Sequence, residues 1–217
     1  MGQYYLIVNV DKKEYIHPHN FGNGMKLMEW SWNGNRVIKA LSNLMMGDWK
    51  GDRVYVVGDY ADLAEYNPYD ENWLPTLRVL TEELGIHDGN HAEYPDERSL
   101  FAVAESKFTK LSPDETEWKE TDARYIYNPK TMQYIDIENS PKTVIEFYDG
   151  ESATYCASPL SLILAMGNNR GGGDYRNKTN EHLVGLWVPY SQHLVVTNEK
   201  AGNHDDFHEF KPDFKEA

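Results

Sequence analysis

Apolar residues along this chain follow two different periods. Tyr4 to Val10 is dense in β-branched and aromatic residues and predicts a strand. Asp11-Lys12-Lys13-Glu14 is a polar turn, and Tyr15-Ile16-His17 predicts the returning strand of a hairpin, halted by Pro18. Asn20-Phe21-Gly22-Asn23-Gly24 marks a loop, and Met25 to Trp30 predicts another short strand. The period then changes. Val37, Ile38, Leu41, Leu44 and Met45 share one helical face between Asn35 and Met46, and Gly47 is placed to end that helix. Arg53 to Val57 predicts a buried strand closed by Gly58.

Further along, Asn72 is placed to cap a helix running to Leu84, with Gly85 after it. A polar loop spans Ile86 to Pro95, and a second helical pattern runs from Glu97 to Phe108. Arg124–Tyr127 and Gln133–Ile137 predict a hairpin around Asn128–Met132, and Thr143–Tyr148 continues the β pattern. Ser158-Pro159 and Gly167 bracket Leu160–Met166 with helix caps. Val184–Val188 and His193–Thr197 predict a closing hairpin, and the polar, acidic stretch from Asn198 predicts a loosely held tail. No repeat and no linker divides the chain. The expected fold is α+β. It is a single domain over residues 1–200 with a mixed, mainly antiparallel sheet, a helical insertion at 67–121, and an acidic tail at 201–217.

Composition narrows the partners. The net charge of −14 argues against direct binding to a nucleic-acid backbone, which needs a basic surface. It leaves a small polar ligand or a protein partner, including a basic one. With Cys156 as the sole cysteine, neither an internal disulfide nor a Cys-based zinc site can form. No apolar run approaches the roughly 20 residues of a membrane span. Met1-Gly2-Gln3-Tyr4-Tyr5-Leu6 has no signal-peptide pattern, so a cytoplasmic location is expected. Neither a cofactor nor an oligomeric state is implied.

Three constellations could carry chemistry. The first is a glycine loop, Arg170-Gly171-Gly172-Gly173-Asp174-Tyr175, which echoes Gly58-Asp59-Tyr60. Consecutive glycines let backbone N–H groups approach a ligand closely, and Arg170 and Arg176 add positive charge. The loop matches neither the P-loop nor the dinucleotide fingerprint, and is expected to follow a helix, whose C-terminal end disfavours anions. A plain surface loop is the alternative. The second constellation is His17-Pro18-His19. With Asp52, Asp59 or Asp174 it could form a His/carboxylate metal site, although surface or structural histidines are commoner. The third is His204 and His208 in the tail, four apart, which on a helix would share one face, although a solvated acidic tail is the commoner reading. Cys156 reads as a small buried hydrophobe, and Ser158 and Ser161 lack a nucleophile-elbow pattern.

Two stretches carry a resemblance. Gly2-Gln3-Tyr4-Tyr5-Leu6-Ile7-Val8-Asn9-Val10-Asp11-Lys12 is one, and Trp49-Lys50-Gly51-Asp52-Arg53-Val54 through Gly58-Asp59-Tyr60-Ala61-Asp62 is the other. Together they resemble a family of uncharacterised bacterial proteins with phage relatives, and the Asn168–Tyr175 loop and Gly185-Leu186-Trp187 resemble that family's C-terminal part. That resemblance implies no activity, fold or ligand; it marks Asp52, Asp59 and Asp174. The expected function is a cytoplasmic, non-enzymatic binding protein for a small polar ligand such as a nucleotide. Asp59, Tyr60, Arg170, Gly171, Gly172, Gly173, Asp174 and Tyr175 are its expected contacts. The alternatives are a metal-dependent hydrolase using His17 and His19, and an acidic interaction or inhibitor protein acting on a basic partner.

Overall fold

The computed structural model describes residues 3–61, 80–86, 99–114, 123–140, 142–146, 152–167 and 183–211. Its strands are β1 (Tyr5–Asn9), β2 (Glu14–Ile16), β3 (Val54–Gly58), β4 (Thr109–Leu111), β5 (Tyr125–Asn128), β6 (Gln133–Asp136), β7 (Thr143–Glu146), β8 (Ser152–Tyr155), β9 (Ala165–Met166), β10 (Val195–Thr197) and β11 (His208–Glu209). Its helices are α1 (Leu27–Trp30), α2 (Arg36–Met46), α3 (Leu100–Lys107) and α4 (Pro159–Ile163), and residues 80–84 are also helical.

The first sheet has the order β4-β2-β1-β3-β9, and the second β10-β5-β6-β11, while among the described residues β7 and β8 pair with each other alone. The fold is therefore α+β with mixed sheets. β1 is the centre of the first sheet because all five of its residues are buried. Its two faces feed different cores. Tyr5 and Ile7 join Val54 and Val56 under α1, α2 and α4. Leu6 and Val8 join Tyr55 and Val57 under α3 and residues 80–86. α2 is capped by the Asn35 side chain, which accepts from Val37 N. It packs against the second sheet as well, through β10, so Ile126, Ile135 and Val196 share its core.

The segment from Trp49 to Asp59 is tied to the first hairpin along its length. Trp49 is fully buried, and its Nε1 donates to Glu14 Oε2 at 2.7 Å. Asn9 Nδ2 donates to Asp52 at 2.8 Å. Arg53 donates twice from its guanidinium to Asp11 and pairs with Glu83 at 2.8 Å. Burial pushes the Asp11 carboxyl up, but the Arg53 hydrogen bonds and charge outweigh this and hold it below its usual value. In the layer beneath, burial pushes the Tyr55 hydroxyl up to about 12, partly offset by its hydrogen bond with Ser191.

Four expectations are corrected. Met25–Trp30 holds a turn of helix, Leu27–Trp30, because the Glu29 carboxylate reaches back to Lys26 N at 2.8 Å. Val184–Val188 does not form a hairpin arm. Gly185 takes φ 74° there, and a 3-10 segment starting at Val188 follows; Val195–Thr197 pairs with β5 instead. The helical stretch 67–121 contains a strand, β4, which extends the first sheet beside β2. Residues 201–211 are not a loose tail. They close the outer face of the second sheet, where β11 pairs with β6, and Tyr127 Oη lies 2.8 Å from His204 Nδ1. His204 and Phe207 meet the Tyr127 ring edge-to-face, and that covers an aromatic face the polar tail sequence gave no reason to expect. The predicted helix from Asn72 is described only over 80–84.

Gly58 is required for close packing. A Cβ there would stand 2.6 Å from the Gln3 side chain, which is 2% exposed and accepts from Tyr5 Oη. Gly58→Ala is expected to cost about 1–3 kcal/mol in urea unfolding, and Gln3→Ala in the same chain to recover part of that loss. A chain ending at Lys200 is expected to lose at least about 2 kcal/mol and to bind a hydrophobic dye at its uncovered tyrosines.

Candidate functional site

Strand direction decides which candidate residues meet. β1 is antiparallel to both β2 and β3, whereas β4 is parallel to β2 and β9 is parallel to β3. Four strands of the first sheet therefore run one way and β1 alone runs the other. Their carboxyl ends surround the amino end of β1. In spatial order that end carries Leu111, His17, then Gln3 and Tyr4, then Gly58 with Asp59, and Gly167. In open, mostly parallel α/β sheets the crevice beyond the carboxyl ends is where ligands bind, and four of the five strands here share that direction.

Asp59 continues the ladder past the end of β3. Its N–H donates to Tyr4 O at 2.9 Å, and its Oδ1 accepts from Tyr4 N at 3.0 Å. This clamps the entry of β1 to the exit of β3. Tyr4 and Tyr60 flank the clamp and are 48% and 50% exposed, which among the described residues few large aromatic side chains match. Gly167, the last described residue before the glycine loop, lies beyond β3 in that order and abuts the Gln3 and Tyr5 side chains. A Cβ at Gly167 would lie 2.7 Å from Tyr5 Oη. Because β9 intervenes, that loop leaves a strand and not a helix, which corrects the expected polarity and removes the objection from a helix C-terminus. Arg170, Gly171, Gly172, Gly173, Asp174 and Tyr175 lie outside the described residues.

His17 and His19 stand at the carboxyl end of β2 with ring centroids 5.0 Å apart. His17 caps a 3-10 turn, its Nδ1 accepting from His19 N at 3.3 Å. Its Nε2 lies 3.9 Å from Glu105 of α3. Burial pushes the His17 pKa down, helped by the charges of Lys110 and His19, so the neutral ring is favoured. Among the described residues no group of three or more potential ligand side chains is arranged to hold a metal ion. Asp52 faces the opposite end of the sheet on Asn9. His204 and His208 sit in a 3-10 turn and in β11, not on one helical face.

The lone thiol does not look activated. Cys156 is half-buried, burial pushes its pKa up, and the Asn33 amide donates to Sγ at 3.1 Å. Gln3 and Tyr4 were missed as site-lining residues. The only signal for them was adjacency to β1 in a motif, and which strand end they occupy depends on pairings far along the chain. No helix is long and apolar enough to cross a membrane among the described residues. No protein-family model, curated protein or solved structure matches this chain.

Neutral His17 contributes stability that is full above its unfolded value of 6.5 and is lost as pH falls from there through its lower folded value. His17→Asn keeps an acceptor for the cap without the titration. Between about pH 7.5 and 5, the wild type is expected to lose more unfolding free energy than this variant, with a slope difference of up to about 1.4 kcal/mol per pH unit.

Proposed function

We propose that this chain is a non-enzymatic, cytoplasmic binding protein for a small polar ligand such as a nucleotide, held at the carboxyl end of the first sheet. One observation carries this proposal. β3 and β9 are parallel neighbours, and they deliver Gly58-Asp59-Tyr60 and Gly167 side by side at that end. The glycine loop, Arg170–Tyr175, starts three residues further along the sequence. Its Arg170 and its three glycines supply donors suited to a phosphate or carboxylate, and Asp174 an acceptor suited to hydroxyl or amino groups.

The exposed rings of Tyr4 and Tyr60 suit a planar group on the same ligand. The acidic surface supports a free small molecule over a nucleic-acid strand as the natural occupant.

Protein purified gently from cells is expected to weigh more by native mass spectrometry than after denaturation. Arg170→Ala combined with Asp174→Ala is expected to remove that excess, and Tyr60→Ala to reduce it, each with an unchanged melting profile. A bare chain mass in the wild type, or retention of the excess in the double variant, would overturn the assignment.

A further inference from the structure

His17 and Glu105 meet on the face of the first sheet that α3 covers. Tyr15 lies in the core on that face. His17 follows it by two residues with its backbone still extended (φ −102°, ψ 118°), so its ring takes the same side. Leu6 lies in that core too, and Tyr4, two residues before it, shares its side of β1. Ile16 pairs with Ile7, so the next antiparallel pair is His17 with Leu6, and Tyr4 is the diagonal neighbour of His17. Diagonal positions lie about 7–8 Å apart, within reach of an aromatic side chain.

The surroundings of His17 decide where its proton sits. Nδ1 accepts from His19 N at 3.3 Å and so carries a lone pair. Burial, then the charges of Lys110 and His19, favour the neutral ring, which leaves the one proton on Nε2. That nitrogen lies 3.9 Å from Glu105 Oε1, beyond hydrogen-bond length. Among the described residues neither Nε2 nor the Glu105 carboxylate has a hydrogen-bond partner. Both can be reached from outside. The Glu105 side chain is 45% exposed and that of His17 12%, and Nε2 is not one of the unpartnered side-chain atoms sealed from solvent.

The pair therefore offers, side by side, one neutral donor and a carboxylate with two acceptor oxygens. An anionic group would be repelled by the carboxylate, and an ammonium group would be opposed by the N–H. What fits is a flat, neutral edge that presents one acceptor followed by donors. Nucleobases differ in that order. Guanine carries a carbonyl, a ring N–H and an amino group in succession, one acceptor and then two donors. Adenine satisfies the N–H and a single carboxylate oxygen. Uracil sets a second carbonyl against the carboxylate. The layout of the sheet agrees with this orientation. The edge would lie at β2 and the stacked ring on Tyr4 of the β1 end, with the remainder of the ligand directed past β3 toward β9.

We propose that the ligand at this end of the first sheet is a guanine nucleotide, its base lying on Tyr4 and its edge read by His17 Nε2 and the Glu105 carboxylate. This rests on the reading of that sheet end as a binding site for a small polar ligand, and it adds the identity of the base.

The test is calorimetric titration of the dialysed full chain, near neutral pH, with guanosine, inosine and adenosine monophosphate in turn. Guanosine monophosphate is expected to bind at least about tenfold more tightly than the other two, since inosine lacks the amino group and adenosine the full donor pair. Glu105→Gln places an amide N–H against those donors and is expected to abolish the preference. Its melting profile should match wild type, because the Glu105 side chain is exposed and makes no hydrogen bond among the described residues. Equal affinity for the three nucleotides, or a guanine preference that survives Glu105→Gln, would overturn the proposal and leave the binding reading of the sheet end standing. Heat from none of the three would overturn it as well. The native mass excess then decides separately whether that sheet end holds a ligand of another kind.

Discussion

The burial of β1 on both faces and along both edges is the constraint on which the rest of the structure depends. A strand in that position must have its ladder complete, and its side chains must find apolar partners above and below. β2 and β3 satisfy the ladder. Helices α1, α2 and α4 cover one face, and α3 with residues 80–86 covers the other. The polar residues of the neighbouring segments then have one remaining task, which is to close the ends of the strands. Asp52 and Arg53 do so at one end through Asn9 and Asp11, and Asp59 does so at the other through Tyr4.

This explains why the segment from Trp49 to Asp62 stands out as a phrase. Its aspartates look like a chemical constellation, yet Asp52 and Asp59 lie at opposite ends of one strand. Local patterning made the first hairpin, α2 and β3 legible, because each buries its apolar residues at the period of its own secondary structure. It also located Gly58 and Asp59, though not their duty to Gln3 and Tyr4. What brings Asp59, His17 and Gly167 to a single end of the sheet is strand direction, which depends on pairings between distant segments.

The second sheet shows the same limit from the other side. Tyr125 and Tyr127 alternate with Ile126 along β5, the pattern of a strand with one core face and one face of another kind. Nothing in that alternation identifies what covers the tyrosines. The cover is residues 201–211, whose polar composition suits solvent and of whose ring-bearing residues His204 and Phe207 pack on Tyr127.

The brevity of β9 also bears on how the molecule assembles. Its two residues pair with Val56 and Val57, more than a hundred positions earlier in the chain. The first hairpin, α2 and β3 are neighbours in sequence and can associate as soon as about the first sixty residues are free to fold. β9 has to close a very long loop before its contacts gain anything, and it gains little because it is so short. The edge that carries Gly167 therefore joins the first sheet late, and the complete burial of Ala165 and Met166 is what then holds so short a strand in place.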